Sequence, residues 1–305
     1  MDCRKNKRIR SLKMSAILPI PGRILAKLEE HNKRSRVETI KNESEQVNCL
    51  MPNWSDSVRR VPNVALRSAL FSAVSKGHRP YFERVKINAL GGISIIYTGA
   101  LLDQGDMDVW ETVLHLSRMH EFGSECQVTA YRLLKELGKT DTGKNRTILE
   151  RHLSRLSATS LQIQVGEHSY EGSLIHEVYR DHETRGYVIR LNPNLRFLFL
   201  SDQFTDLDWV VRQALHGRPL AQWLHGFYAT HARPYDLKIE TIHWLCGSRA
   251  GCLSDFKKDL RRALNFVKNA RDAAGQAFSY TIERGLVRVK TTASPSQRRH
   301  LNSRS

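Results

Sequence analysis

The chain has 305 residues, 40% of them hydrophobic, with 48 Lys plus Arg against 31 Asp plus Glu and a formal net charge of +17. Its longest apolar stretches, such as residues 93–102, are too short and too interrupted to span a bilayer, and the N-terminus lacks the apolar core of a signal peptide. Five scattered cysteines (Cys3, Cys49, Cys126, Cys246, Cys252) form no C-x-x-C pair, so neither a zinc ribbon nor a disulfide framework is indicated; a reducing cytoplasm is expected, with a polyanion, nucleic acid first, as partner.

Residues 1–51 read as a basic, disordered arm. Arg4, Lys5, Lys7, Arg8, Arg10 and Lys13 open it, and one short helix is expected at 23–30. The arm is either a DNA-touching tether or a solvated tail. A first folded unit is expected at 52–203. Helical periodicity runs through residues 109–116, 128–137 and 144–157, with Gly138 ending the second helix. The period then changes to two. Residues 161–165 alternate, Gly166 turns, 174–179 run back, and 187–191 follow a second turn, giving three helices and then a hairpin. Residues 85–87 and 93–97 add strands about Gly91-Gly92.

The second unit, 204–292, repeats that order. Helices are expected at 208–215, 220–231, 239–245 and 253–272, with Pro219 starting the second and Gly247 closing the third. Residues 278–282 and 286–290 form a hairpin about Arg284-Gly285. Residues 293–305 read as a disordered tail. The fold class is therefore α+β: two tandem winged-helix domains behind the arm.

Two helices carry the chemistry. On a wheel of roughly 100° per residue, Leu149, Leu153 and Leu156 share one face of the 144–157 helix, and Lys144, Thr147, Arg151, Ser154 and Arg155 occupy the other. Arginine donates two bonds to guanine edges, and short hydroxyls reach phosphate or thymine methyl groups, so this row suits a major groove. The same row on a merely solvated helix would mean nothing. On the 253–272 helix, Leu253, Phe256, Leu260, Leu264 and Val267 form the apolar stripe. Lys257, Lys258, Arg261, Arg262, Asn265 and Lys268 fill the adjoining arc, with Asp255 and Asp259 set apart. Such segregation of sign differs from the alternating ion pairs of an ordinary soluble helix. Asn265 suits adenine, and the lysines suit phosphate. Arg185 and Arg284 at the hairpin tips are weaker DNA candidates.

Catalytic patterns are absent from the sequence. Gly138-Lys-Thr140 lacks the glycine a phosphate loop requires, Leu133 standing in its place. No H-E-x-x-H, no His-x-His and no acidic cluster suggests a metal site, so a non-enzyme without cofactor is expected. His115 and His120 read as packing or surface residues. Trp110, Trp209, Trp223 and Trp244 read as core, and Trp54 as a lid. A relaxase or primase would need ligands the sequence does not offer, and no aromatic platform for RNA is present.

Several stretches together resemble the TrfA family of plasmid replication initiators of IncP-type plasmids. These are Pro62-Asn-Val-Ala-Leu-Arg-Ser-Ala-Leu-Phe71, Tyr97-Thr-Gly-Ala-Leu-Leu102, Asp108-Val-Trp-Glu-Thr-Val-Leu114, Leu153-Ser-Arg-Leu-Ser-Ala-Thr159, Pro234-Tyr-Asp-Leu-Lys-Ile-Glu-Thr241 and Leu245-Cys-Gly-Ser248. The resemblance implies binding of double-stranded DNA at direct repeats (iterons) of an origin, melting of an adjacent AT-rich segment, and recruitment of the host replicative helicase with DnaA. It also implies active monomers, and dimers that restrain copy number. The family's sliding-clamp segment, Gln-Leu-Ser/Asp-Leu-Phe, corresponds here to Gln46-Val-Asn-Cys-Leu50, where Val47, Cys49 and Leu50 form a smaller apolar plug. A dimeric winged-helix repressor is the competing class, distinguished by inverted rather than head-to-tail sites.

Overall fold

The computed structural model describes residues 54–293 and 297, apart from 75, 76, 78, 91, 122, 167, 182, 185 and 200–202. The N-terminal arm with its expected helix, the clamp-like residues Gln46, Val47, Cys49 and Leu50, the hairpin residue Arg185 and most of the tail lie outside the described residues. Within the tail, Gln297 donates its amide N–H to the Ala229 carbonyl at 2.7 Å. No helix among the described residues is long and apolar enough to cross a membrane.

The described chain mixes helix and strand, as expected. It opens with β1 (Val58–Pro62), α1 (Asn63–Leu66), β2 (Phe71–Ser72), β3 (Tyr81–Ile87), β4 (Ile93–Ala100) and β5 (Leu102–Asp103). The helix α2 (Gln104–Ser117) follows, started by a reciprocal capping box. Asp103 Oδ1 accepts from the Gly105 and Asp106 N–H groups at 2.9 and 3.0 Å, and Asp106 Oδ2 accepts from the Asp103 N–H at 3.0 Å. Then come β6 (Glu125–Thr129), α3 (Ala130–Glu136) and α4 (Gly143–Ser157). Thr129 and Thr142 cap the two helices through their hydroxyl oxygens. The expected helix over 128–137 is thus shorter, because residues 125–129 pair with a later strand.

β7 (Ser160–Val165) and β8 (His168–Gly172) form a hairpin, and β9 (Glu177–Asp181) and β10 (Gly186–Arg190) form the next. This corrects the expected hairpin. β7 does not pair with 174–179; it joins a four-stranded sheet in the order β3-β4-β7-β8, while β9 and β10 join β6 in the order β6-β10-β9. Between the two hairpins Leu174 and Ile175 are fully buried outside any strand. Alternating polarity cannot separate one long hairpin from two short ones when both have a buried face.

β11 (Phe204–Asp208) returns to pair antiparallel with β1, Val58 opposite Asp208 and Pro62 opposite Phe204. The chain continues through α5 (Trp209–Ala214), α6 (Pro219–Ala229), β12 (Leu237–Lys238), α7 (Ile239–Leu245), α8 (Leu253–Ala273), β13 (Phe278–Glu283) and β14 (Leu286–Thr291). Gly247, with φ +62, ends α7, and a Cβ there would sit 2.6 Å from Ser72 Oγ, so both backbone and packing demand glycine. Arg284 and Gly285, with φ +50 and +81, make the two-residue turn of the last hairpin, in the manner of a type I′ turn.

A common order runs through both halves, helix, short strand, helix, helix and a later hairpin, but in the first the β7–β8 hairpin intervenes between α4 and β9–β10. In each case the short strand pairs with the second strand of the hairpin, β6 with β10 and β12 with β14. Each set has its own buried cluster. Trp110, Leu114, Leu133, Leu149, Leu153, Leu156 and Ile189 belong to the first. Trp223, Leu224, Ile242, Leu245, Phe256, Leu260, Leu264, Val267 and Val287 belong to the second. Trp54 lies against the first cluster and donates to His115 Nδ1 at 3.0 Å. Trp244 is 51% exposed, contrary to its expected place in the core, because it falls on the outer side of the two-turn α7.

Between the two clusters lies a buried polar seam. Arg212 of α5, 1% exposed, donates Nε to Asp108 Oδ1 at 2.8 Å and Nη1 to Gln104 Oε1 and the Gln222 carbonyl at 3.0 Å each. Burial works to raise the Asp108 carboxyl, but the Arg212 charge overcomes it and holds it low. Glu111 is different: its two oxygens are buried without a hydrogen bond, and Arg212 Nε is 3.8 Å away. Burial raises its carboxyl to about 7 against the opposing pull of Arg212. An unfolded chain ionises this group near the ordinary glutamate value. Ionisation therefore favours unfolding as pH climbs through the interval between the two values, with the full penalty above about 7. Glu111→Gln should raise stability at pH 8.5, by on the order of 2 kcal/mol, and confer little at pH 5. Urea unfolding at the two pH values measures the difference.

Candidate nucleic-acid interface

The helix α4 precedes the β7–β8 and β9–β10 hairpins and α8 the β13–β14 hairpin, and both helices are strongly two-sided. On α4, Leu149, Leu153 and Leu156 are buried in the first cluster, and Lys144, Thr147, Arg151 and Ser154 are exposed. Lys144 and Arg151 carry no ion pair among the described residues. Thr147 Oγ1–H donates to the Gly143 carbonyl at 3.0 Å, which leaves its oxygen lone pairs outward. The neighbouring Arg146 is tied to Asp141 at 2.6 Å, and Arg180 of β9 to Glu150 at 3.1 Å.

Arg155 does not belong with the outward row. Its guanidinium turns inward and donates Nε and Nη2 to Asp106 Oδ1 at 3.0 and 2.8 Å. Asp106 is fully buried and also meets His152 Nδ1 at 2.7 Å and Arg79 Nη1 at 3.0 Å. Burial acts to raise this carboxyl, and His152 with Arg155 overcomes it, holding it down to about 2. The carboxylate recruits the nearest cation on α4, so Arg155 anchors the helix to α2 instead of facing solvent. Asp103, Asp106 and His152 have metal-ligand geometry. Arg79 and Arg155 already supply the positive charge there, so arginine occupies the role a cation would take.

On α8, Phe256, Leu260, Leu264 and Val267 are buried, and Lys258, Arg261, Arg262 and Asn265 are exposed, with Lys257 and Lys268 half-buried. The expected segregation of sign is only partial. Lys258 pairs with Asp255 at 3.3 Å, Arg262 with Asp259 at 2.8 Å, and Lys268 with Asp272 at 2.6 Å. The wheel separates these charges by angle, but long side chains one turn apart bridge the gap. Exposed pairs of this kind are worth about 0–1 kcal/mol, so a phosphate can displace the carboxylates. Lys257 and Arg261 have no ion pair among the described residues. Asn265 accepts at Oδ1 from the Tyr280 hydroxyl at 2.7 Å, a contact that no sequence pattern announced. At the hairpin, Arg284 is exposed at the turn, and Arg288 is held by Asp236 at 2.7 Å.

These two faces can bind a polyanion. The family model described as TrfA protein matches residues 24–286. The chain belongs to the TrfA family. It is similar to a plasmid replication initiator protein TrfA from Escherichia coli, 29% identical over 226 residues, which cover 71% of this chain and 58% of that relative. The chain thus spans a little over half the length of the TrfA protein it matches. Among solved structures it is similar to domains 2 and 3 of RctB, with a TM-score of 0.49 and 13% identity, over 71% of this chain and 94% of that one. It is also similar to the Pi initiator protein in complex with iteron DNA, with a TM-score of 0.45 and 10% identity, over 62% and 91%. At those scores neither structure carries an argument about this chain.

Proposed function

We propose that this chain is a plasmid replication initiator that binds directly repeated duplex sites through two winged-helix modules, at about 52–203 and 204–292. The observation that carries this reading is the order of helix, strand, two helices and a later hairpin that pairs back on that strand, interrupted in the first half by β7–β8, with an outward cationic face on the last helix each time. In a winged helix that last helix enters the major groove and the hairpin lies beside it. Lys144, Arg151, Lys257 and Arg261 would meet phosphates or base edges. Lys258, Arg262 and Lys268 would exchange carboxylate for phosphate. Family membership and the net charge of +17 support the same partner.

In this reading the chain does no catalysis and needs no cofactor. It works in the cytoplasm, marks the origin, aids melting of AT-rich DNA, and brings the host helicase and DnaA to it. Its dimers limit copy number, and Gln46, Val47, Cys49 and Leu50 offer a reduced clamp contact. The test is a nuclease footprint of the full chain on the DNA flanking its gene. Protection of head-to-tail repeats of about two helical turns supports an initiator. Protection of a single inverted repeat would replace this reading with a dimeric repressor.

A further inference from the structure

Resting on that reading, we infer that Tyr280 is a positioning residue that fixes Asn265 as a hydrogen-bond donor toward a base, so that Asn265 selects guanine and not adenine. Asn265 stands four residues after Arg261 and three before Lys268 on the exposed side of α8. Tyr280 projects from β13, opposite Val289 of β14, and its ring is partly buried against the second cluster. Its hydroxyl lies 2.7 Å from Asn265 Oδ1 and 3.3 Å from the Arg261 carbonyl. The phenol has one hydrogen, and the shorter contact holds it.

That bond has a chemical consequence. A free asparagine amide can turn over and present its oxygen, its nitrogen or both, and presenting both is what matches adenine N6 and N7. With Oδ1 held by Tyr280, Asn265 presents outward only the two hydrogens of Nδ2. Those match the two major-groove acceptors of guanine, N7 and O6, and oppose the amino hydrogens of adenine N6 and cytosine N4. The adenine contact expected from the residue type alone is therefore replaced by a guanine contact. The determinant sits on the hairpin, 15 residues further along the chain.

The experiment selects bound sequences from a randomised duplex pool with the full chain as wild type, Tyr280→Phe and Asn265→Ala. In the wild type, one position should favour guanine over adenine by about fivefold. In Tyr280→Phe that ratio should fall to about one or invert, with the preferences at every other position and the thermal midpoint unchanged. Asn265→Ala should flatten the same position. Placing 7-deazaguanine there should weaken the wild type and leave Asn265→Ala unaffected. Identical profiles for wild type and Tyr280→Phe would overturn the inference, as would an Asn265→Ala profile altered nowhere. Uniform weakening by Tyr280→Phe at all positions would assign Tyr280 a structural role instead. A wild type that enriches no sequence would overturn the DNA-binding reading itself, a separate failure.

Discussion

Asp108→Ala should cost the fold about 3–5 kcal/mol, the penalty of leaving a buried charge without its partner. Arg212 is 1% exposed, and Asp108 is its nearest carboxylate. Gln222 Nε2 also donates to Asp108 Oδ2, at 3.0 Å. Without Asp108 the guanidinium keeps only amide and carbonyl oxygens and Glu111 at 3.8 Å. Urea unfolding measures the loss, and the double variant separates causes. Adding Arg212→Met to Asp108→Ala should restore part of the stability, because the stranded charge is removed with its partner. A loss below about 1 kcal/mol in the single variant would mean that the seam is wet. The seam also matters for the interface. It joins α2, against which α4 packs, to α6, against which α8 packs, so one ion pair underlies both outward helices.

Removing the four solvent-facing cations of α4 and α8 that have no ion pair among the described residues should disable binding while sparing the fold. In the variant Lys144→Ala/Arg151→Ala/Lys257→Ala/Arg261→Ala, duplex affinity near 0.1 M salt should fall by about two to three orders of magnitude. Each phosphate neutralised contributes roughly 0.9 to the slope of log affinity against log salt. The variant should therefore be shallower than the wild type by about 3 to 4 if all four meet phosphate. Lys144, Arg151 and Arg261 are exposed and Lys257 is half-buried, so the unfolding midpoint should barely move. An unchanged slope would show that the binding charge lies elsewhere, for example among the arm's six opening cations.

The sequence made the helices and the second hairpin legible because their signals are local. The leucines of α4 and the Phe256–Val267 stripe of α8 repeat at helical spacing, and Arg284-Gly285 demands a tight turn. What it hid depends on distant partners. β1 and β11 pair across about 146 residues, as in Arg60 with Asp206, and nothing in either segment names the other. Val128 fitted a helical pattern but lies in β6, whose partner β10 comes some 60 residues later. Arg155 sits on the outward side of its wheel, yet Asp106, 49 residues earlier, draws its guanidinium in. The three ion pairs along α8 and the Tyr280–Asn265 bond escape a wheel for a related reason: an angle fixes where a side chain starts, not where its end settles. The candidate rows lie on the outer sides of α4 and α8, Arg155 excepted, while which of their cations carry no ion pair among the described residues emerged only from their neighbours.

The central claim is that α4 and α8 press their outward faces on one duplex. Hydroxyl-radical footprinting of one chain on one repeat tests it directly. Two protected backbone patches on one side of the DNA, about ten base pairs apart, are predicted, with Lys257→Ala/Arg261→Ala losing one patch and Lys144→Ala/Arg151→Ala the other. A single patch, or two that fade together in either variant, would contradict the account.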